Sequence, residues 1–400
     1  LFFNADDGVH GQELWATDGT EQGTYMVIDL VPGLDGSVPQ EFMADLNGLA
    51  IFYADNNGDG FDLYRSDGTA QGTTWLCEVT DGDDPIPDGP CQFSFYYFAQ
   101  AGGRVFFKAR NASHAYSLWK TDGTPQGTVK LRDVLINEME PAGSVLFFAG
   151  VGGGTTIPGF DLWKSDGTVG GTVMLKDLGG AIRLTESNGL VFFDGEDPQE
   201  DDELWVSDGT PQGTVRVKDI NPGPNPSTPV SLTDVEGTLF FTAFSPSTGS
   251  EIWKTDGTEL GTQMVIDLVP GAGSSGAYGL TNVDGILFFV RFDSIKGWEL
   301  WKSDGTDQGT EIVKVIAPPS VSPKTRPDLF LGANGKLYFR ADDGEHGLEL
   351  WVSDGTSWGT RMIADIEPGP GNHWPGDLHA VGPFIFYGGG DEVNGQELWA

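Results

Sequence analysis

One segment recurs along the whole chain, and a repeat of this kind restricts the fold more than any other property of the sequence. Its clearest copy, Glu13 to Gly33, reads ELWATDGTEQGTYMVIDLVPG. The aspartate of its DGT triplet returns at Asp18, Asp67, Asp122, Asp166, Asp208, Asp256, Asp304 and Asp354, with gaps of 49, 55, 44, 42, 48, 48 and 50 residues. A ninth copy starts at Glu397-Leu398-Trp399-Ala400. A short apolar run precedes each copy, from Leu1-Phe2-Phe3 through Val105-Phe106-Phe107 to Ile385-Phe386-Tyr387.

Each repeat resolves into four short strands. Strand a is weak and ends in a turn, as in FMADLNG from Phe42. Strand b is the apolar run, strand c is ELW with its next residues, and strand d follows the second GT, as in TVRVKDI from Thr214. Aromatic and β-branched residues dominate b and d, as a pleated, half-buried surface requires. No stretch keeps a helical period. Four strands per 40–50 residues predict an all-β fold: a closed β-propeller of four-stranded blades, forming one domain over residues 1–400. Nine b and c strands with eight d and a strands make 34. Eight blades need 32 and nine need 36, so the expectation is eight or nine. Leu1 falls inside a repeat, so the natural N-terminus is expected upstream.

The DGT segment reads as the hairpin between c and d. Asp-Gly supplies the positive φ of a tight turn, and the Asp and Thr side chains can bond nearby backbone groups. The repeated Trp15, Trp119, Trp163, Trp205, Trp253, Trp301, Trp351 and Trp399 are expected to pack between neighbouring blades. Glu13, Glu203, Glu251, Glu299, Glu349 and Glu397 precede most of them and are expected to bond backbone N–H groups of an adjacent blade.

The string ELW-x-[ST]-DGT-x-x-GT resembles the ELWxxDGT repeat proteins of bacteria over the whole chain. The resemblance implies a secreted or cell-surface protein with no assigned activity. Departures are local: Tyr64 replaces the Trp, Ser117 the Glu and Ile252 the Leu of their copies.

Function is expected where copies differ, in the b–c and d–a loops. The second b–c loop, Asp55-Asn56-Asn57-Gly58-Asp59-Gly60-Phe61-Asp62, has the alternating oxygens and glycine of a calcium loop, so Asp55, Asn57, Asp59 and Asp62 are the expected metal ligands. Its alternative is a solvated turn. Trp298 and Trp374, placed in variable loops, and His373 beside the latter are expected ligand contacts. Trp75 is assigned to a packed position in strand d, and Trp358 to a DGT hairpin. Cys77 and Cys91 flank an acidic loop and are expected either to pair as a disulfide or to remain free thiols.

Lys and Arg number 22 against 59 Asp and Glu, a formal charge of −37. Such a chain repels phosphate backbones, which argues against nucleic acid, and attracts cations such as calcium. No apolar run is long enough to span a bilayer. The five His have no Ser or Cys partner in a known catalytic spacing, and no GxSxG or HExxH occurs. The expected function is therefore a non-catalytic, extracellular or surface propeller that binds carbohydrate or protein in adhesion. The alternatives are a self-assembling subunit of a surface layer or filament, and a polysaccharide-acting enzyme using paired carboxylates.

Overall fold

The computed structural model describes residues 1–46, 48–56, 61–78, 98–110, 116–153, 159–197, 200–319, 326–366, 368–391 and 395–400. Among them every regular element is a β-strand, and the strands form eight antiparallel sheets. The repeat is drawn cleanly in the sheet made of Val230–Val235, Thr238–Ser245, Gly249–Thr255 and Gln263–Ile266, which pair in that order. These are strands a, b, c and d. The first sheet (Phe2–Asp6, Gln12–Ala16, Tyr25–Ile28) carries b, c and d; the last (Gly376–Val381, Phe384–Asp391, Gly395–Trp399) carries a, b and c.

One strand does two jobs. Val129–Ala142 pairs through Asp133 with Ser117 of the third c strand and through Val134–Ala142 with the fourth b strand, Val145–Gly152. It is d of one repeat and a of the next, which merges two sheets into one of seven strands. Thirty-three segments thus fill the 34 expected strand roles.

The described chain divides into two compact units. One holds Leu1–Val191, Glu196–Pro198 and Ser207–Thr214, and the other Phe192–Gly195, Gln199–Val206 and Val215–Ala400. In the first, Phe2–Asp6, Gln40–Leu46, Phe98–Ala101, Val129–Ala142 and Gly180–Ser187 lie beside one another in succession. In the second, Val230–Val235, Tyr278–Val283, Asp328–Ala333 and Gly376–Val381 do the same. Successive sheets therefore meet along their leading strands.

The apolar runs form the core. Phe52, Phe106, Phe107, Phe148, Phe193, Phe241, Phe289 and Phe339 are fully enclosed. Strand b is covered on both faces, so its sequence is continuous in apolar residues rather than alternating. Leu337, Phe339 and Trp351 of one sheet cluster with Val283, Phe288 and Leu300 of the sheet before it. The repeated Trp also stacks on the second Phe of the apolar run in its own b strand: Phe148 on Trp163 at 6.0 Å, Phe193 on Trp205 at 6.3 Å and Phe289 on Trp301 at 6.1 Å. Trp75 departs from expectation. It is half-exposed and donates its indole N–H to Asp62 Oδ2 at 3.0 Å.

Side chains stitch sheet to sheet where no backbone ladder runs. Lys164 Nζ donates to Gly209 O at 2.7 Å, Lys254 Nζ to Gly305 O at 2.8 Å and Lys302 Nζ to Gly355 O at 3.1 Å. In each case the residue after the strand-c Trp reaches the glycine carbonyl of the next DGT hairpin.

Candidate functional site

The DGT hairpins account for their own residues. At Asp208 the carboxylate Oδ1 accepts from Thr210 N at 2.8 Å and Thr210 Oγ1 at 2.7 Å, and Thr210 Oγ1 accepts from Gly213 N at 2.9 Å. Thr214 Oγ1 donates to Thr210 O at 2.7 Å, and Ser207 Oγ accepts from Gly209 N at 3.1 Å. Gly209 sits at φ 84°, which disfavours any side chain there. A Cβ on Gly213 would lie 2.1 Å from Asp208 Oδ1. The Thr hydroxyl bond holds all eight Asp carboxyls below their ordinary range. The motif is a self-sufficient turn.

The strand-c glutamates act differently from the expectation. Glu13 and Glu203 hold the d–a loop that follows their own strands, not a neighbouring blade. Glu13 accepts from Leu30 N, Val31 N and Ser37 N at 3.2, 3.0 and 3.1 Å, and from Ser37 Oγ at 2.5 Å. Glu203 accepts from Ile220 N, Asn221 N and Ser227 Oγ at 3.2, 3.3 and 2.6 Å. Both are buried, and burial pushes the Glu203 carboxyl up. The same spacing of 24 residues links Glu251 to Ser275 and Glu349 to His373.

A second acid stands 16 residues after each of these: Asp29, Asp219, Asp267 and Asp365. The ladder register Ile252↔Ile266 sets Glu251 directly across from Asp267. Glu251 is wholly buried; its Oε2 accepts from Leu268 N at 3.2 Å, Ser275 approaches the carboxylate with its N–H and hydroxyl, and Oε1 makes no hydrogen bond of ordinary geometry. Asp267 Oδ1 is likewise buried without a partner, and Oδ2 accepts from Gly271 N at 3.4 Å. Burial, then the Asp267 charge, push the Glu251 carboxyl up to about 7. Sequence reading missed these pairs, although the constant spacings of 16 and 24 carried them.

Of the expected loop ligands, Asp55 and Asp62 flank one hairpin, where Ala54 pairs with Asp62. Asn57 and Asp59 lie outside the described residues, as do Cys91 and the side chain of Cys77. Asp62 lies in a strand rather than in the loop. It opens strand Asp62–Ser66, faces Glu78 in the ladder and accepts from Trp75. Trp298 is not an exposed loop aromatic; it lies buried in strand Gly297–Ser303 against Phe292 at 5.1 Å and Tyr278 at 5.8 Å. His373 is buried too, edge-on to Trp399 at 4.8 Å, with Nδ1 on Gly390 O at 3.1 Å. It takes the place of the loop serines, and Gly389 makes room, since a Cβ there would meet its ring at 2.4 Å. Trp374 is half-exposed, and Trp358 is almost wholly exposed on its hairpin. Among the described residues no group of three or more His, Cys, Asp and Glu is arranged to hold a metal.

One solvent-open groove of roughly 430 Å³ lies in the second unit. Val283, Ile286 and Phe288 form its apolar floor, and Asp304, Glu311 and Asp354 its acidic rim. Lys302 is the one cation, and it is tied to Glu311 at 3.2 Å and to Gly355 O. The free charge of the rim is therefore negative.

No family model matches the chain, and no curated protein matches its sequence. Solved structures do resemble it. The β-propeller domain of the Trilobed protease from Pyrococcus furiosus aligns at 11% identity with a TM-score of 0.43, over 76% of this chain and 92% of that domain. A puromycin hydrolase aligns at 12% identity with a TM-score of 0.41, over 88% of this chain and 58% of its own. The Pyrococcus horikoshii acylaminoacyl peptidase aligns at 10% with a TM-score of 0.42, over 90% and 50%. The chain thus spans little more than half the length of the two whole enzymes. At this identity the likenesses show a fold and no role; the expected adhesion propeller is corrected to that extent, since these three are a protease propeller, a puromycin hydrolase and a peptidase.

Proposed function

We propose that this chain is a β-propeller module that accompanies a peptidase activity and engages basic polypeptide without cleaving it. The observation that carries this reading is the groove with an apolar floor and an acidic rim. An extended polypeptide offers apolar side chains to such a floor and Lys or Arg to such a rim. The rim charges are placed by the hairpins, so the surface is fixed before any ligand arrives. The finer fold assignment belongs to the same proposal: the sheets are blades of one closed ring, eight or nine in number, and the repeat is of the ELWxxDGT type. An acidic surface of this size suits an extracellular setting.

The test is fluorescence anisotropy with a labelled, unstructured peptide rich in Lys and Leu. Binding that weakens with salt, and weakens roughly two- to fivefold in Glu311→Lys, is expected. Absence of binding by the wild type would sink the reading. Cleavage of the peptide by the chain alone would overturn its non-catalytic part.

A further inference from the structure

We infer that the Glu251–Asp267 pair is a divalent-cation site, with calcium as the fitting ion. The two acids face each other across neighbouring strands, and like charges directly opposed destabilise a sheet. Glu251 is wholly buried, and its carboxylate is approached only by Leu268 N and by Ser275, while Glu251 Oε1 and Asp267 Oδ1 make no hydrogen bond of ordinary geometry. A buried carboxylate oxygen without a donor is costly.

Two repeats that keep only one acid of the pair show what meets a lone carboxylate at this place. Where the first acid is Ser117, the remaining Asp133 accepts from the Ser hydroxyl at 2.7 Å and from Lys130 Nζ at 3.0 Å. Where the second acid is Val315, the remaining Glu299 has Lys296 Nζ at 3.3 Å, Arg291 Nε at 3.8 Å and Trp301 Nε1 at 3.0 Å. A single acid is met by the protein's own cation. At Glu251 and Asp267 both acids are present, and no Lys or Arg is bonded to either among the described residues. A cation from solution fills the same role. Two carboxylates with main-chain and water oxygens suit a hard ion that accepts six to eight oxygens. The site differs from the second b–c loop, which lies four repeats earlier.

The test is terbium luminescence, terbium standing in for calcium, on the full chain. Trp253, two residues from Glu251 on the same face of strand c, would sensitise a bound ion. Expected are a Trp-excited terbium signal displaced by calcium, and about one fewer bound calcium ion per chain by equilibrium dialysis in both Glu251→Gln and Asp267→Asn. Asp59→Ala should leave this signal unchanged, and far-ultraviolet circular dichroism checks that each variant folds. Unchanged stoichiometry in both folded variants would overturn the proposal. So would a wild type that binds no calcium but gains stability on mild acidification, since the pair would then share a proton.

Discussion

Two adjacent glycines show how finely single atoms decide here. In the hairpin after Asp166, a Cβ on Gly170 would meet nothing within 4 Å, whereas one on Gly171 would lie 2.1 Å from Asp166 Oδ1. Gly171→Ala must push the carboxylate off Thr168 and is expected to cost about 1–3 kcal/mol. Gly170→Ala should stay within about 0.5 kcal/mol of the wild type. Urea midpoints of the two variants check this, and equal values would refute the steric account. Glu138 gives a second residue-scale prediction. Its Oε2 accepts from Arg183 N at 2.7 Å, and burial holds its carboxyl above the ordinary value. The folded state then binds the proton more tightly than the unfolded one, so this group's contribution is favourable below the ordinary carboxylate value and is lost as pH rises through the raised one. Glu138→Gln keeps the acceptor and removes the titration, so the wild type should lose more stability than the variant as pH rises from roughly the ordinary carboxylate value towards neutrality. Parallel pH profiles would contradict it.

At the scale of strands, periodicity was legible because each copy of the repeat must solve the same packing problem. The apolar run, the Asp-Gly turn and the four-strand order all follow from residues that recur. The double strand Val129–Ala142 was hidden because a propeller blade is defined by role, and one segment fills two roles. In its sequence the PG turn that follows the strand-d acid at Pro222-Gly223 and Pro270-Gly271 is missing after Asp133. Trp298 was misplaced for a related reason. Strand c begins at Gly297 in that repeat, and burying an indole against Phe292 and Tyr278 outweighs the loop-like look of KGWEL. Between sheets, the Lys pegs give an element-scale prediction. Lys254→Met keeps the apolar stem and removes the bond to Gly305 O, which should cost roughly 0.5–1.5 kcal/mol. Lys218→Met removes a comparable bond to Thr262 O at 2.9 Å. Because Lys218 and Lys254 serve different hairpins, the double variant should show the sum of the two losses in thermal melts. A marked departure from additivity would mean that the pegs act through one shared element.

The candidate site was the least legible part, because single residues were sought where spacings held the signal: the acids stand 16 apart and the loop anchors 24 apart, identical in several copies. Charge operates at the scale of the whole chain. A formal charge of −37 on 400 residues means the folded state compresses many like charges, and their repulsion opposes compaction. Most of the 59 acids are not paired with a Lys or Arg, since only 22 of those exist. Screening shortens the reach of this repulsion to about 10 Å at 0.1 M salt and about 3 Å at 1 M. Sodium chloride should therefore raise the melting temperature steadily up to that range, by a few degrees on the order of 1 kcal/mol. Calcium at equal ionic strength should raise it further if the buried acid pair takes up an ion, because binding to the folded state alone adds stability that screening cannot supply. Equal curves for calcium and sodium at matched ionic strength would reduce the effect to screening and count against a specific ion. A melting temperature that falls with added sodium chloride would show that favourable ion pairs such as Arg340–Asp328, at 2.7 Å, outweigh the net repulsion.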